Sequence, residues 1–234
     1  MKKRILVRGP VLSRSGYGEQ ARFAVRSLRA YEDNFEIFIV PTSWGKTGWV
    51  WEESEERKWM DERIRQTLIH QQQGGQYDMS LQVTIPNEWE KLAPVNVGYT
   101  AGIETTKVAP HWIEKSYLMD RIVVVSNHAK DIYEKTTYDA TDKNTGQVIK
   151  DFRCQTPIEV VNYPTREIGS PDGLDLELET DFNFLVSSQW GPRKNIDNTI
   201  RWFIEEFHDQ EVGLVAKLNW HNDSLNDRQG TKRR

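Results

Sequence analysis

Short apolar runs separated by amphipathic helical stretches constrain this chain most. RILVRGPV (4–11) reads as a buried strand and LSRSGYG (12–18) as a Gly/Ser loop. Tyr17, Ala21, Ala24, Val25 and Leu28 then recur at helical spacing, which predicts a helix over 17–30, and FEIFIVP (35–41) reads as the next strand. A strand–loop–helix–strand order of this kind opens a doubly wound α/β sheet. The same order returns in FNFLVSS (182–188), QWGPRKN (189–195), IDNTIRWFIEEF (196–207) and VGLVAKL (212–218). Ile196, Ile200, Phe203, Ile204 and Phe207 share one face of that helix. Its entry is a Gly-Pro turn ending in Arg193 and Lys194, and a helix N-terminus favours phosphate through its free N–H groups and dipole.

Between the two units, 52–73 reads as a charged surface helix ended by Gly74-Gly75, and 77–85 and 94–101 read as strands. A helix over 109–118 has Pro110 near its start, where its fixed φ is tolerated. A strand over 120–126 leads to a helix over 128–136 capped by Ser126 or Asn127. Residues 137–153 are polar around Asn144-Thr145-Gly146, an inserted loop or hairpin, and 156–164 reads as a further strand. The stretch 165–180, with Pro, two Gly and five acids, has the composition of a linker. The expected organisation is therefore an N-terminal Rossmann-like domain (1–165), an acidic linker (166–181) and a partial second Rossmann-like domain (182–234), whose last part, 219–234, reads as a polar tail.

A hydrophobic fraction of 37% and a charged fraction of 28% describe an ordinary folded protein. The net charge of −4 argues against a nucleic-acid partner, which usually demands a basic excess. Cys154 is the single cysteine, so no intramolecular disulfide forms and a reducing, cytoplasmic compartment is expected. The apolar run after MKKR is broken by Arg8, too short for a signal peptide, and no stretch has the length of a membrane span. His70, His208 and His221 have no partners at metal-ligand spacing.

GYGEQA (16–21) fits the pattern G-x-G-x-x-A, but two details disfavour a nicotinamide dinucleotide. The loop before Gly16 is longer than the tight turn that motif needs, and Pro41-Thr42 stands where an acid should hold the ribose. Two readings remain open: the glycines allow close helix–strand packing, or they let a loop approach a phosphate or sugar across a cleft.

Three segments together carry a family resemblance: SGYGEQARFAVRSL (15–28), GIETTKVAPHWIEKSYLMDRIVVVSNHAKDIYEK (102–135) and FLVSSQWGPRKNIDNTIRWFIEEF (184–207). In their order and spacing the chain resembles a retaining GT-B glycosyltransferase. The resemblance implies sugar transfer from a UDP- or GDP-linked donor to the hydroxyl of a carbohydrate or other acceptor, with no metal and no further cofactor. Carried over by position, Arg193 and Lys194 would hold the donor diphosphate. Gly16 and Gly18 would bring backbone N–H groups to donor or acceptor, and Glu104, Thr105 and His111 would lie on the acceptor side. No residue is assigned to catalysis. Trp44, Trp49, Trp51 and Trp59 crowd one segment, either as a sugar-stacking platform or as a packed flap.

The chain departs from the pattern in two places. Ser187-Ser188 and Lys194-Asn195 stand where the family usually has Gly-Arg and Lys-Gly. The family's later glutamates would fall beyond residue 234, so the donor domain is expected to be truncated and the activity of the chain as it stands is left open. A two-stranded remnant is marginal by itself, so residues 182–218 are expected to pack on the N-terminal domain, to self-associate by pairing with another chain through the incomplete sheet, or to be mobile. The competing reading is a non-catalytic Rossmann-like module that binds glycans, nucleotides or a partner protein.

Overall fold

The computed structural model describes residues 2–141, 145–165, 167, 169–170, 173 and 176–233. The chain divides into two compact units, Met1–Trp44 with Val50–Pro164, and Gly45–Trp49 with Thr165–Arg234.

The first unit holds β1 (Lys3–Gly9), α1 (Gly16–Arg29), β2 (Phe35–Pro41), α2 (Glu55–Gln72), β3 (Met79–Val83), β4 (Val95–Thr100), α3 (Pro110–Ser116), β5 (Arg121–Val124), α4 (Asn127–Lys135), β6 (Tyr138–Thr141), β7 (Val148–Phe152) and β8 (Ile158–Val160). Six of these strands form one parallel sheet in the order β2-β1-β3-β4-β5-β8, an α/β layer architecture consistent with a Rossmann-like unit. Ile5, Leu6 and Val7 of β1 and Ile37, Phe38 and Ile39 of β2 are buried in unbroken runs. A parallel strand covered on both faces needs such a run rather than an alternating pattern. One core cluster joins β1 and β2 to Ala21, Ala24 and Val25 of α1 and Met60 of α2, and a second gathers Trp89, Ile113, Ile122, Ala129 and Tyr133. Ser126 caps α4 by accepting the Ala129 N–H at 3.1 Å, which decides between the two expected caps.

The polar insertion is an antiparallel hairpin of β6 and β7. Of its expected turn, Asn144 lies outside the described residues, while Gly146 takes φ +70°. Within the expected linker, residues 166, 168, 171, 172, 174 and 175 likewise lie outside the described residues, as does Arg234 of the expected tail.

The second unit contains β9 (Phe182–Gln189), a single 3-10 turn (Pro192–Lys194), α5 (Ile196–Phe207), β10 (Val212–Asn219) and α6 (Leu225–Lys232). β9 and β10 pair in parallel from Phe182↔Val212 to Gln189↔Asn219. Phe184 packs on Phe203 and Phe207 of α5, with ring centroids 6.0 and 5.4 Å apart. Alternation along the strand puts Leu185 on the other face, where it is 70% exposed. The expected polar tail is corrected here, because residues 225–232 are helical. Ser224 caps that helix by accepting the Asp227 N–H at 3.3 Å, and the Asp227 carboxylate accepts the Asp223 N–H at 2.8 Å. These polar contacts start a helix that has no apolar stripe. Among the described residues no helix is long and apolar enough to cross a membrane.

Candidate functional site

In the first sheet β1 lies between β2 and β3, so the chain leaves β1 toward one edge and β3 toward the other. The C-terminal ends of two such strands frame the crevice where open α/β sheets bind ligands. The loop from β1 to α1 lines this crevice, and its shape is fixed from beneath. Arg22, buried on α1, donates to the carbonyls of Val11 at 2.9 Å and Ser13 at 2.8 Å, and pairs with Glu19 at 2.7 Å. Ser15 caps α1 by accepting the Gly18 N–H at 3.0 Å, and its hydroxyl meets that of Ser13 at 2.9 Å.

The two candidate glycines part company here. A Cβ at Gly18 would stand 2.0 Å from the Ser13 carbonyl oxygen. Gly18 is thus buried for close packing and its N–H is already used, which corrects the expectation that it faces a ligand. Gly16 is exposed, with nothing within 4 Å of an added Cβ, and it begins α1, where the first N–H groups have no intrahelical acceptor. Of the pair, Gly16 is the one left open to solvent.

Tyr17 joins this loop to the end of β4. Its hydroxyl accepts the Ala101 N–H at 3.1 Å and lies 2.8 Å from Thr100 Oγ1, while its ring stacks on Trp44 at 4.2 Å. Burial pushes the Tyr17 phenol above its ordinary pKa; the bonds with Thr100 and Ala101 act the other way. The segment after β4 turns at Gly102, with φ +82°, and carries Glu104 and Thr105 exposed at the strand's C-terminal side. Thr105 Oγ1 donates to the Lys107 carbonyl at 3.1 Å. Tyr163 completes the group by donating to Gln20 Oε1 at 3.5 Å. Its phenol is also raised, first by burial, then by its neighbours Tyr17, Tyr99 and Glu104.

The structure therefore brings Gly16, Glu104 and Thr105 to one end of the first sheet. His111 lies exposed in the first turn of α3, 3.0 Å from Glu114, in an ion pair available when the ring is protonated. Among the four tryptophans, Trp59 is structural: its Nε1 donates to Glu32 at 2.9 Å and Arg29 lies over its ring at 4.8 Å. Trp51 is 73% exposed and Trp49 55%, and Trp44 serves as the stacking partner of Tyr17. Sequence reading counted Tyr17 only as part of an apolar helix face and missed Gln20 and Tyr163. The signal for Tyr17 was its place between two glycines in the first turn, while nothing local pointed to a contact between residues 143 positions apart.

In the second unit, Arg193 and Lys194 sit in the 3-10 turn between the C-terminal end of β9 and α5. Both are exposed, and among the described residues neither enters an ion pair. Asn195 enters α5 in the left-handed region at φ 53°, and its carbonyl accepts the Thr199 N–H at 3.0 Å. Two unpaired cations at the entry of a helix can hold a phosphate or diphosphate. Among the described residues no group of three or more His, Cys, Asp or Glu is placed to hold a metal ion.

Comparisons of this chain with protein-family models, with curated proteins and with solved structures found no match.

Proposed function

We propose that the chain carries out, or forms part of, a GT-B-type transfer of a sugar from a UDP- or GDP-linked donor to an acceptor hydroxyl, with retention of configuration. The observation that carries this reading is the basic turn Pro192–Lys194, held between a parallel strand and the helix it feeds. In the reaction the bond from the sugar C1 to the diphosphate oxygen breaks, and its electron pair leaves on the diphosphate. A bond from C1 to the acceptor oxygen forms, and the acceptor's proton goes to the diphosphate or to solvent. Arg193 and Lys194 stabilise the charge that builds on the departing diphosphate, the kind of electrostatic effect that often dominates catalysis. The first unit supplies the acceptor side: Gly16 offers backbone N–H groups, Glu104 accepts from hydroxyls, and the exposed face of Trp51 suits a sugar ring.

The test is incubation with UDP- and GDP-sugars and a panel of glycan acceptors, with the product's anomeric configuration read by NMR. A retained glycoside together with released nucleoside diphosphate is expected, and an inverted product contradicts the mechanism. One observation favours the non-catalytic module as a second reading. Ser187 and Ser188 stand in β9 where the resembled family carries a Gly-Arg pair, which leaves one basic pair where two are usual. Nucleotide binding without transfer to any acceptor would select that reading.

A further inference from the structure

We propose that a cleft at the N-terminal end of the first sheet binds a phosphate monoester carrying hydroxyl groups, held by Lys2, Arg63 and the outer edge of β2. The cleft lies at the far end of β1 and β2 from the crevice lined by the β1–α1 loop, so it is a second site with its own ligand.

β2 is an edge strand of the first sheet, and its pairing with β1 decides which way its N–H groups point. The Lys3 N–H donates to the Asn34 carbonyl at 2.9 Å, and the Thr42 N–H to the Gly9 carbonyl at 3.0 Å. That register bonds the even-numbered residues of β2 to β1 and turns the N–H groups of Phe35, Ile37 and Ile39 to the outer edge. Phe35 donates there to the Tyr31 carbonyl at 3.2 Å, and Ile39 to Thr67 Oγ1 of α2 at 2.7 Å. Ile37, between them, is only 2% exposed, and among the described residues its N–H has no acceptor. A buried N–H left unpaired is rare, and it calls for an acceptor from outside the chain.

Ile37 is one wall of a cleft of about 440 Å³, and Arg63 of α2 is another. The Arg63 Nε is likewise buried with no acceptor. Its guanidinium lies over the Trp59 ring at 5.6 Å, a cation–π contact that places the side chain without using its N–H groups. Lys2, just before β1, is exposed on the same cleft and among the described residues enters no ion pair. The third cation there, Arg4, is already held by Glu36 at 3.4 Å. Two uncommitted cations match the charge of a phosphate monoester, about −1.5 to −2 at neutral pH, better than the single charge of a carboxylate. The cleft is roomier than a bare oxyanion needs and falls within the range of about 300–1,000 Å³ usual for small-molecule pockets. Glu32 and Glu36 also line it. Glu32 accepts the Trp59 Nε1–H at 2.9 Å, and each carboxylate keeps lone pairs for hydroxyl donors. A phosphate and hydroxyls on one small molecule satisfy the whole set.

Isothermal titration of the full chain with ribose 5-phosphate, ribose and inorganic phosphate tests the proposal. Each titration is repeated in the Arg193→Ala/Lys194→Ala double variant, because the basic turn of the second unit can also take phosphate. Ribose 5-phosphate should bind the double variant saturably and more tightly than inorganic phosphate, while ribose alone should not bind. In that background Arg63→Met should weaken binding by about 10- to 150-fold, through the loss of charge-assisted hydrogen bonds. Lys2→Ala, at an exposed position ahead of β1, should weaken it by about two- to fivefold. Methionine keeps the apolar stem and removes an unpartnered buried Nε, so Arg63→Met should hold Tm within about 3 °C. That readout separates an emptied site from a damaged fold. Binding that survives both substitutions, or that vanishes in the double variant, overturns the site. Equal affinity for ribose or for inorganic phosphate overturns the assigned ligand class.

Discussion

The Tyr17 hydroxyl accepts the Ala101 N–H at 3.1 Å and lies 2.8 Å from Thr100 Oγ1, so one side chain ties the first turn of α1 to the end of β4. Between this hydroxyl and Thr100 Oγ1 either oxygen can be the donor. Tyr17→Phe removes both bonds and leaves the Ala101 N–H without its acceptor. The expected loss of stability is about 1–2 kcal/mol, since the site is only partly buried. Urea unfolding measures it, and an unchanged midpoint would show that the tie contributes nothing.

Gly16 and Gly18 should respond differently to the same substitution. Gly18→Ala drives a methyl into the Ser13 carbonyl, which is backbone and cannot swing away, so a loss of about 2–3 kcal/mol is expected. Gly16→Ala meets open space and should stay within about 0.5 kcal/mol of the parent. Thermal melts of the two variants side by side check the contrast, and equal effects would contradict it.

Arg22 holds the β1–α1 loop by donating to two of its carbonyls while paired with Glu19. Arg22→Leu keeps much of the side chain's bulk but strands both carbonyls. Glu19 retains its contact with Arg26 at 3.3 Å, so the cost should be about 2–4 kcal/mol, not that of an orphaned buried charge. Chemical denaturation gives the value, and a loss below about 1 kcal/mol would mean the loop holds its shape without this clamp.

Tyr133 is fully buried, and its hydroxyl has no hydrogen-bond partner among the described residues. Burial, with smaller contributions from Cys154 and Tyr17, pushes its pKa far above the ordinary phenol value. In the unfolded chain this phenol ionises near pH 10, while in the folded chain it keeps its proton. Its contribution to stability is therefore complete below about pH 10 and is lost as pH rises from there toward the folded value, at up to about 1.4 kcal/mol per pH unit. Tyr133→Phe should remove that share of the alkaline loss and stabilise the fold by about 1 kcal/mol at pH 7, because no partner is lost. Urea midpoints at pH 8 and pH 10.5 for both chains decide it, and identical pH dependence would contradict the assignment.

Much of the sheet was legible because its strands are short apolar runs and its first helix keeps a clear period. The helix over 196–207 begins and ends where the amphipathic pattern does. The short α6 was not legible, since Leu225 is its only large apolar residue and it starts from the polar contacts of Ser224 and Asp227. Within the candidate site, the glycine pattern revealed the loop but not which glycine is open. That depends on the Ser13 carbonyl, whose position is set by Arg22 from a later turn of the helix. The Tyr17–Thr100 and Gln20–Tyr163 contacts join residues far apart in sequence, and no local pattern encodes such pairs.

The central claim is that the turn bearing Arg193 and Lys194 holds a nucleoside diphosphate. Isothermal titration of the full chain with UDP and GDP, before and after replacing both residues by alanine, tests it most directly. Saturable binding that falls at least about tenfold in the double variant is predicted, as expected for the loss of charge-assisted phosphate bonds. Binding that survives the substitution unchanged, or no binding by the parent chain, would contradict it.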